Sequence, residues 1–116
     1  MIARAPRRWT EVDPATVVTV WSRSHSGSDS PFVRERSYPA RYAMRWHDLP
    51  HASREYRVFA RDYDPTVAGV PAARTHALRA VCEHCGGYVA GRAGGPYFTG
   101  CGCTVPIHGR ILEPAR

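Results

Sequence analysis

Residues 81–87 read Val81-Cys82-Glu83-His84-Cys85-Gly86-Gly87, and residues 101–103 read Cys101-Gly102-Cys103. These are the four cysteines of the chain, and fifteen residues separate the two pairs. A short turn followed by glycine lets two thiolates converge on one metal ion. Because zinc prefers four soft ligands in a tetrahedron, the spacing predicts one zinc ion. Its predicted ligands are Cys82, Cys85, Cys101 and Cys103.

The segment between the two pairs indicates how they are brought together. Residues 87–91 and 96–100 flank a glycine-rich turn, Arg92-Ala93-Gly94-Gly95. Two short strands joined by such a turn form a β-hairpin, whose open end carries both cysteine pairs. Four protein ligands leave no open coordination position, so the predicted zinc is structural and does not activate water.

This pattern resembles the zinc-ribbon family of small metal modules over about residues 74–112. Cys82 and Cys85 match the first knuckle of that family. The second knuckle differs, because the family usually has two residues between its cysteines and this chain has only Gly102. The resemblance implies a small β-module stabilised by zinc. A site in which a histidine replaces one cysteine stays open, with two candidates: His84 and His108.

The rest of the chain predicts an all-β fold, because no long stretch has helical periodicity and the chain contains ten Gly and ten Pro. β-Branched content or apolar alternation predicts three strands: Thr16–Ser22, Arg41–His47 and Glu55–Tyr63. We expect a small sheet or barrel-like region over residues 1–72, opening with a basic arm at residues 1–14. The zinc-ribbon-like region follows over residues 73–116, packed with it as one unit.

The chain is basic, with 16 Lys+Arg against 10 Asp+Glu and a net charge of +6. All 16 basic residues are Arg, and the chain contains no Lys, Asn or Gln. This bias fits a GC-rich genome, so arginine content alone does not indicate nucleic-acid binding. A basic surface nevertheless attracts polyanions whatever its origin. The absence of Lys excludes phosphate-loop lysines and Schiff-base chemistry.

Residues 32–63 interleave seven aromatic residues with seven arginines. Arginines neutralise phosphates and aromatic rings stack on bases, which favours a nucleic-acid-binding face. Alternation along the third predicted strand puts four such residues on one face: Arg57, Phe59, Arg61 and Tyr63. The alternative interpretation is that the aromatic residues are core and the arginines are solvated.

Together these features predict a non-catalytic zinc-binding interaction module that contacts nucleic acid or a nucleoprotein assembly. One alternative is a structural subunit of a large assembly, such as a viral particle, with protein partners. Another is a metal-dependent hydrolase that uses His47, Asp48 and His51, although Pro50 would interrupt a helix between the histidines. No small-molecule substrate is predicted.

The sequence shows no targeting or membrane segment. Its first residues lack the apolar stretch of a secretory signal. The longest strongly apolar run, residues 17–21, is far too short to span a bilayer. We therefore expect a cytoplasmic or virion protein with reduced thiols and no membrane partner.

Overall fold

The computed structural model describes residues 8–24, 30–44, 53–82, 90–92, 95–98 and 109–114. Over these residues the chain forms mainly β-strands, with two short helices. The elements in chain order are β1 (Trp9–Val12), β2 (Val17–Ser24), β3 (Val33–Pro39), α1 (Ala40–Ala43), β4 (Arg54–Ala60), α2 (Val70–Arg74), β5 (Arg79–Cys82), β6 (Ala90–Arg92), β7 (Gly95–Phe98) and β8 (Gly109–Pro114). The predicted all-β class is confirmed.

Antiparallel pairing joins these strands into two three-stranded sheets and one hairpin. The first sheet has the strand order β3-β2-β4, and the second has the order β1-β8-β5. The hairpin pairs β6 with β7. The second sheet contains strands from both sides of residue 72, so the two regions expected from the sequence share backbone hydrogen bonds.

One face of the first sheet packs against the second sheet. Val20 on β2 lies opposite Val58 on β4, and both belong to one buried cluster with Ile111 of β8. The backbone N–H of Leu78 donates to the carbonyl of Val58 at 2.8 Å and joins the two layers. This first cluster consists of Val12, Val18, Val20, Ala40, Ala43, Met44, Val58, Leu78, Ala80 and Ile111. Burying such side chains supplies about 1.5–3 kcal/mol for each large one.

The opposite face of the first sheet packs against α2. Phe59 of β4 points to this side, because side chains alternate along a strand. It contacts Phe32 edge-to-face, with 5.6 Å between ring centroids. The buried residues of this second cluster are Phe32, Phe59, Val70, Ala73 and Ala77. Both faces of the sheet are therefore partly covered.

The strands predicted in the first half are confirmed at β2 and β4. The strand predicted over Arg41–His47 is wrong in its described part, because Ala40–Ala43 form α1. Ala40, Ala43 and Met44 are buried while Tyr42 is exposed. This spacing of three and four residues is that of a helix. Residues 45–52 lie outside the described residues.

Among the strands that were not expected from the sequence are β1, β3 and β8. Trp9–Val12 were expected in a basic arm but form β1, which pairs with β8. β3 carries mostly exposed polar residues and pairs only with β2 among the described strands. Edge strands often carry charged side chains, because the charges oppose edge-to-edge association. Such strands lack apolar alternation and are not recognised from it. In the described part of the chain, no helix is long and apolar enough to cross a membrane.

Candidate arginine face and cysteine site

The predicted zinc site begins at the end of β5. Cys82 is the last residue of that strand and pairs with Gly109 of β8. The predicted ligands Cys85, Cys101 and Cys103 lie outside the described residues, as do the substitutes His84 and His108. Within the described ranges, no three His, Cys, Asp or Glu residues are grouped in a way that could hold a metal.

The hairpin expected between the cysteine pairs is present. β6 and β7 are antiparallel, with Ala90 opposite Phe98 and Arg92 opposite Gly95. β5 and β8, which flank the hairpin in the sequence, also pair with each other. In chain order, the hairpin thus lies between β5, which ends at Cys82, and β8, which begins at Gly109.

The predicted nucleic-acid-binding face is wrong at Phe59. Its side chain is 0% exposed, so its ring cannot stack on a base. Tyr63 is half-buried and lies between Phe59 and His76, with ring centroids 5.3 and 5.2 Å away and nearly parallel planes. Arg61 is exposed in the turn that follows β4. The four predicted residues therefore do not form one open surface.

Arg57, the remaining predicted residue, belongs to a cluster around Glu55. Glu55 is 7% exposed, and its carboxylate accepts hydrogen bonds from three guanidinium groups. Arg23 Nε donates to Oε1 at 2.9 Å, and Arg57 Nε donates to Oε2 at 2.9 Å. Arg74, on α2, donates to both oxygens, with Nε 2.8 Å from Oε2. Three positive groups thus converge on one negative group.

These contacts determine the protonation of Glu55. Burial by itself raises the pKa of the carboxyl, but hydrogen bonds from Arg74 and Arg57, and the charges of both, outweigh it and lower the pKa to about 2. The interaction with Glu55 also raises the pKa of Arg74. Glu55 is therefore ionised near neutral pH, with three guanidinium groups around its carboxylate.

A fourth arginine extends this cluster across the sheet. Trp21 on β2 lies opposite Arg57 on β4 and opposite Arg34 on the other neighbour, β3. Residues directly opposite each other project to the same face of a sheet. Arg34 is exposed, and its guanidinium donates to Ser37 Oγ at 3.4 Å. We call this surface the arginine face; it consists of Trp21, Arg23, Arg34, Glu55, Arg57 and Arg74.

Trp21 lies at the centre of the arginine face. It is half-buried and packs against the second cluster. Its indole N–H is buried and has no acceptor among the described residues. Buried donors are almost always paired in proteins, so this group is a local cost to the fold.

His47, Asp48 and His51 lie outside the described residues. Asp64 forms a local turn, because its Oδ1 accepts from the backbone N–H and hydroxyl of Thr66 at 2.9 and 2.6 Å. These hydrogen bonds lower the pKa of Asp64.

Comparison of the chain with protein-family models, with curated proteins and with solved structures finds no match.

Proposed function

We propose that the protein is a non-catalytic, zinc-stabilised β-module that binds single-stranded nucleic acid through the arginine face. The observation that carries this proposal is the convergence of Arg23, Arg57 and Arg74 on the single carboxylate of Glu55. One buried acid anchors all three guanidinium groups, and two of them, those of Arg57 and Arg74, stay partly exposed beside it.

The positive charge is held where an anion can reach it. The side chains of Arg57 and Arg74 are 23% and 41% exposed, while Arg23 and Glu55 are each 7% exposed. The buried pair fixes the position of the two outer arginines, and Arg34 adds a further exposed charge beside Trp21. A fixed patch of this kind concentrates polyanions near the surface and speeds their association.

The residue types favour phosphates joined to bases. Guanidinium groups are planar and match phosphate oxygens with two parallel hydrogen bonds. An aromatic ring among arginines is typical of surfaces that bind single strands, because bases stack on rings while arginines follow the backbone. In this proposal Trp21 has the role that the sequence analysis gave to Phe59, that of a ring on which a base stacks.

Zinc is proposed as the structural cofactor, with the four cysteines as its ligands. Cys85 lies five residues before Ala90, and Cys101 and Cys103 lie three and five residues after Phe98. With Cys82 eight residues before Ala90, both pairs lie within eight residues of the hairpin, which supports a common site. Four thiolates would fix this segment onto β5 and β8 and would supply no catalytic position.

The binding proposal is tested by fluorescence anisotropy with a labelled oligouridine at several salt concentrations. The logarithm of the binding constant should fall linearly with the logarithm of salt concentration, by about 0.7 for each phosphate contact. Arg34→Ala removes an exposed charge without breaking a hydrogen bond to Glu55. We expect it to weaken binding and to lower the salt slope by about one contact.

The matched control is Arg41→Ala, which removes the same charge from α1. The buried residues of α1, Ala40 and Ala43, belong to the first cluster, on the other side of the sheet. This variant should bind almost as the original chain does. Equal losses for Arg34→Ala and Arg41→Ala would show only a general charge effect and would contradict the arginine face. Binding that does not respond to salt would contradict nucleic-acid recognition altogether.

No observation in the described part of the chain favours the alternative of a structural assembly subunit. The exposed large apolar residues come from five different segments: Trp9, Val17, Val33, Tyr42 and Val67. Single exposed apolar residues are ordinary on soluble proteins. If oligonucleotide binding fails and the purified protein forms oligomers of defined size, the assembly alternative replaces the present proposal.

A further inference from the structure

The face of the first sheet that lies opposite the arginine face contains a β-bulge. Val20 pairs with Arg36 and Trp21 pairs with Arg34, so Glu35 is an extra residue on β3. A bulge interrupts the alternation of side chains and re-aims them, and bulges are common beside functional sites. Here, the adjacent residues Glu35 and Arg36 both line one cavity.

This cavity has a volume of about 250 Å³. Its described lining consists of Val20, Glu35, Arg36, Tyr38 and Tyr56. Ligand pockets usually hold about 300–1,000 Å³, so the cavity fits one small planar group rather than a large cofactor. The two tyrosines are half-buried and pack against the first cluster, which steadies their rings.

The carboxylate in the cavity is held in a fixed orientation. Ser22 Oγ donates to Glu35 Oε2 at 2.7 Å and accepts from Arg54 Nη2 at 2.8 Å. Arg54 Nε lies 3.1 Å from the same hydroxyl. This chain of hydrogen bonds runs across β3, β2 and β4. An acceptor that is fixed before binding loses less entropy when a ligand donates to it.

We infer that this cavity binds one unpaired guanine base. The inference rests on the proposed function, because the base would belong to the strand held by the arginine face. β3 is the edge strand of its sheet among the described strands. A single strand can therefore pass around β3 and contact both faces.

Guanine matches the cavity better than the other bases do. A carboxylate only accepts hydrogen bonds, and guanine presents two neighbouring donors, N1–H and the N2 amino group. A guanidinium only donates, and O6 and N7 of guanine accept two parallel hydrogen bonds from it. Glu35 and Arg36 can thus bind adjacent edges of one guanine, while a tyrosine ring stacks on its face.

The test compares guanosine and inosine 5′-monophosphates by isothermal titration calorimetry. These nucleotides differ only in the N2 amino group, so the phosphate contribution is the same for both. A hydrogen bond to a charged acceptor predicts at least about tenfold tighter binding of the guanosine nucleotide. Adenosine, cytidine and uridine monophosphates should bind more weakly than the guanosine nucleotide.

Two variants separate recognition from packing. Glu35→Gln should reduce the difference between the guanosine and inosine nucleotides, because an amide offers one acceptor oxygen where the carboxylate offers two. Tyr56→Leu should weaken all nucleotides by a similar factor, about 5- to 150-fold if stacking is lost, without changing the preference. The control is Glu11→Gln, an exposed acid on β1 that pairs with Arg110; it should change neither quantity.

The two proposals fail in different ways. Salt-dependent oligouridine binding without any guanosine preference would overturn the guanine inference and leave the arginine face intact. A guanosine preference that is unchanged in Glu35→Gln would also overturn it. Selective nucleotide binding without oligonucleotide binding would support the cavity and contradict the proposed function. Equal and negligible responses to all nucleotides would leave the cavity as a groove for a protein side chain, which would overturn the inference.

Discussion

Glu55 is the residue on which the arrangement of the first sheet and α2 depends. A buried carboxylate is costly unless it is paired and hydrogen-bonded. Here its partners come from β2, β4 and α2, so one side chain joins three elements. The same contacts keep three guanidinium groups close together against their mutual repulsion. Glu55 therefore both stabilises the fold and holds the charges of the three arginines close together.

We predict that Glu55→Gln destabilises the fold and changes its response to acid. The pKa of Glu55 is about 2 in the folded chain and about 4.3 for an unperturbed glutamate. As the pH falls, the Glu55 carboxyl is therefore protonated in the unfolded state before it is protonated in the folded state. The stabilisation that ionised Glu55 provides is thus present above about pH 4.3 and is lost as the pH falls towards 2. Its size is about 3 kcal/mol.

Urea denaturation at a series of pH values measures this effect. The free energy of unfolding of Glu55→Gln should be lower at neutral pH and should depend less on pH in the acid range. Glu11→Gln, at an exposed ion pair, should cost less than about 1 kcal/mol. An unchanged acid response in Glu55→Gln would show that the arginines do not depend on this carboxylate.

At the scale of elements, regular patterns could be predicted from the sequence and short or exposed elements could not. β-Branched content identified β2, apolar alternation identified β4, and the glycine-rich turn identified the β6–β7 hairpin. α1 has four residues, too few to show a period. β3 is an exposed edge strand with several charged residues. Its sequence has no apolar alternation, so the strand could not be recognised.

The candidate site shows the same limit. Alternation in β4 correctly predicts that Phe59 and Val58 lie on opposite faces of the sheet. It does not predict that α2 covers the face on which Phe59 lies. Arg23 and Arg74 are far apart in the sequence, and only strand register and helix docking bring them to Glu55. The cysteine pairs were found from their local spacing alone. Their metal site stays a prediction, since three of the four residues lie outside the described part.

Gly69 determines how α2 begins. Its φ of 78° and ψ of 163° belong to a region that is populated almost only by glycine. Its carbonyl accepts the backbone N–H of Ala73 at 2.9 Å, the first helical hydrogen bond. A Cβ atom at this position would meet nothing within 4 Å, so the constraint is conformational rather than steric.

We therefore predict that Gly69→Ala lowers the free energy of unfolding by about 1–3 kcal/mol. Because α2 carries Arg74, the variant should also weaken oligonucleotide binding. Val67→Ala, in the same turn and highly exposed, is the control and should stay within about 0.5 kcal/mol. Thermal denaturation of both variants provides the measurement. A neutral Gly69→Ala would contradict the left-handed backbone at this position.

At the scale of the whole molecule, two sheets and a metal site would together stabilise the fold. A chain of 116 residues buries a limited core. The second sheet has strands of four to six residues, and β5 and β8 flank the cysteine segment. Zinc bound there would hold the ends of both strands together, and its binding energy would count as folding energy.

We predict one zinc ion for each chain, measured by elemental analysis of protein purified under reducing conditions. Cys82→Ser and Cys101→Ser should each lose the metal and unfold at least residues 74–112, as seen by amide hydrogen exchange. His84→Ala and His108→Ala should retain one zinc if all four ligands are cysteines. A zinc content near zero in the original chain would contradict the site, and loss in a histidine variant would identify a mixed ligand set.

The pairing of β1 with β8 has a consequence for the synthesis of the protein. Among the described strands, β1 is synthesised first, and its partner β8 is complete only when residue 114 has been translated. At about 5–20 residues per second, about 5–20 s pass between the synthesis of β1 and the completion of β8. Throughout this interval the apolar side chain of Val12 lacks its final neighbours. The second sheet is therefore completed after translation of its last strand, which leaves an early window in which chaperones can bind the growing chain.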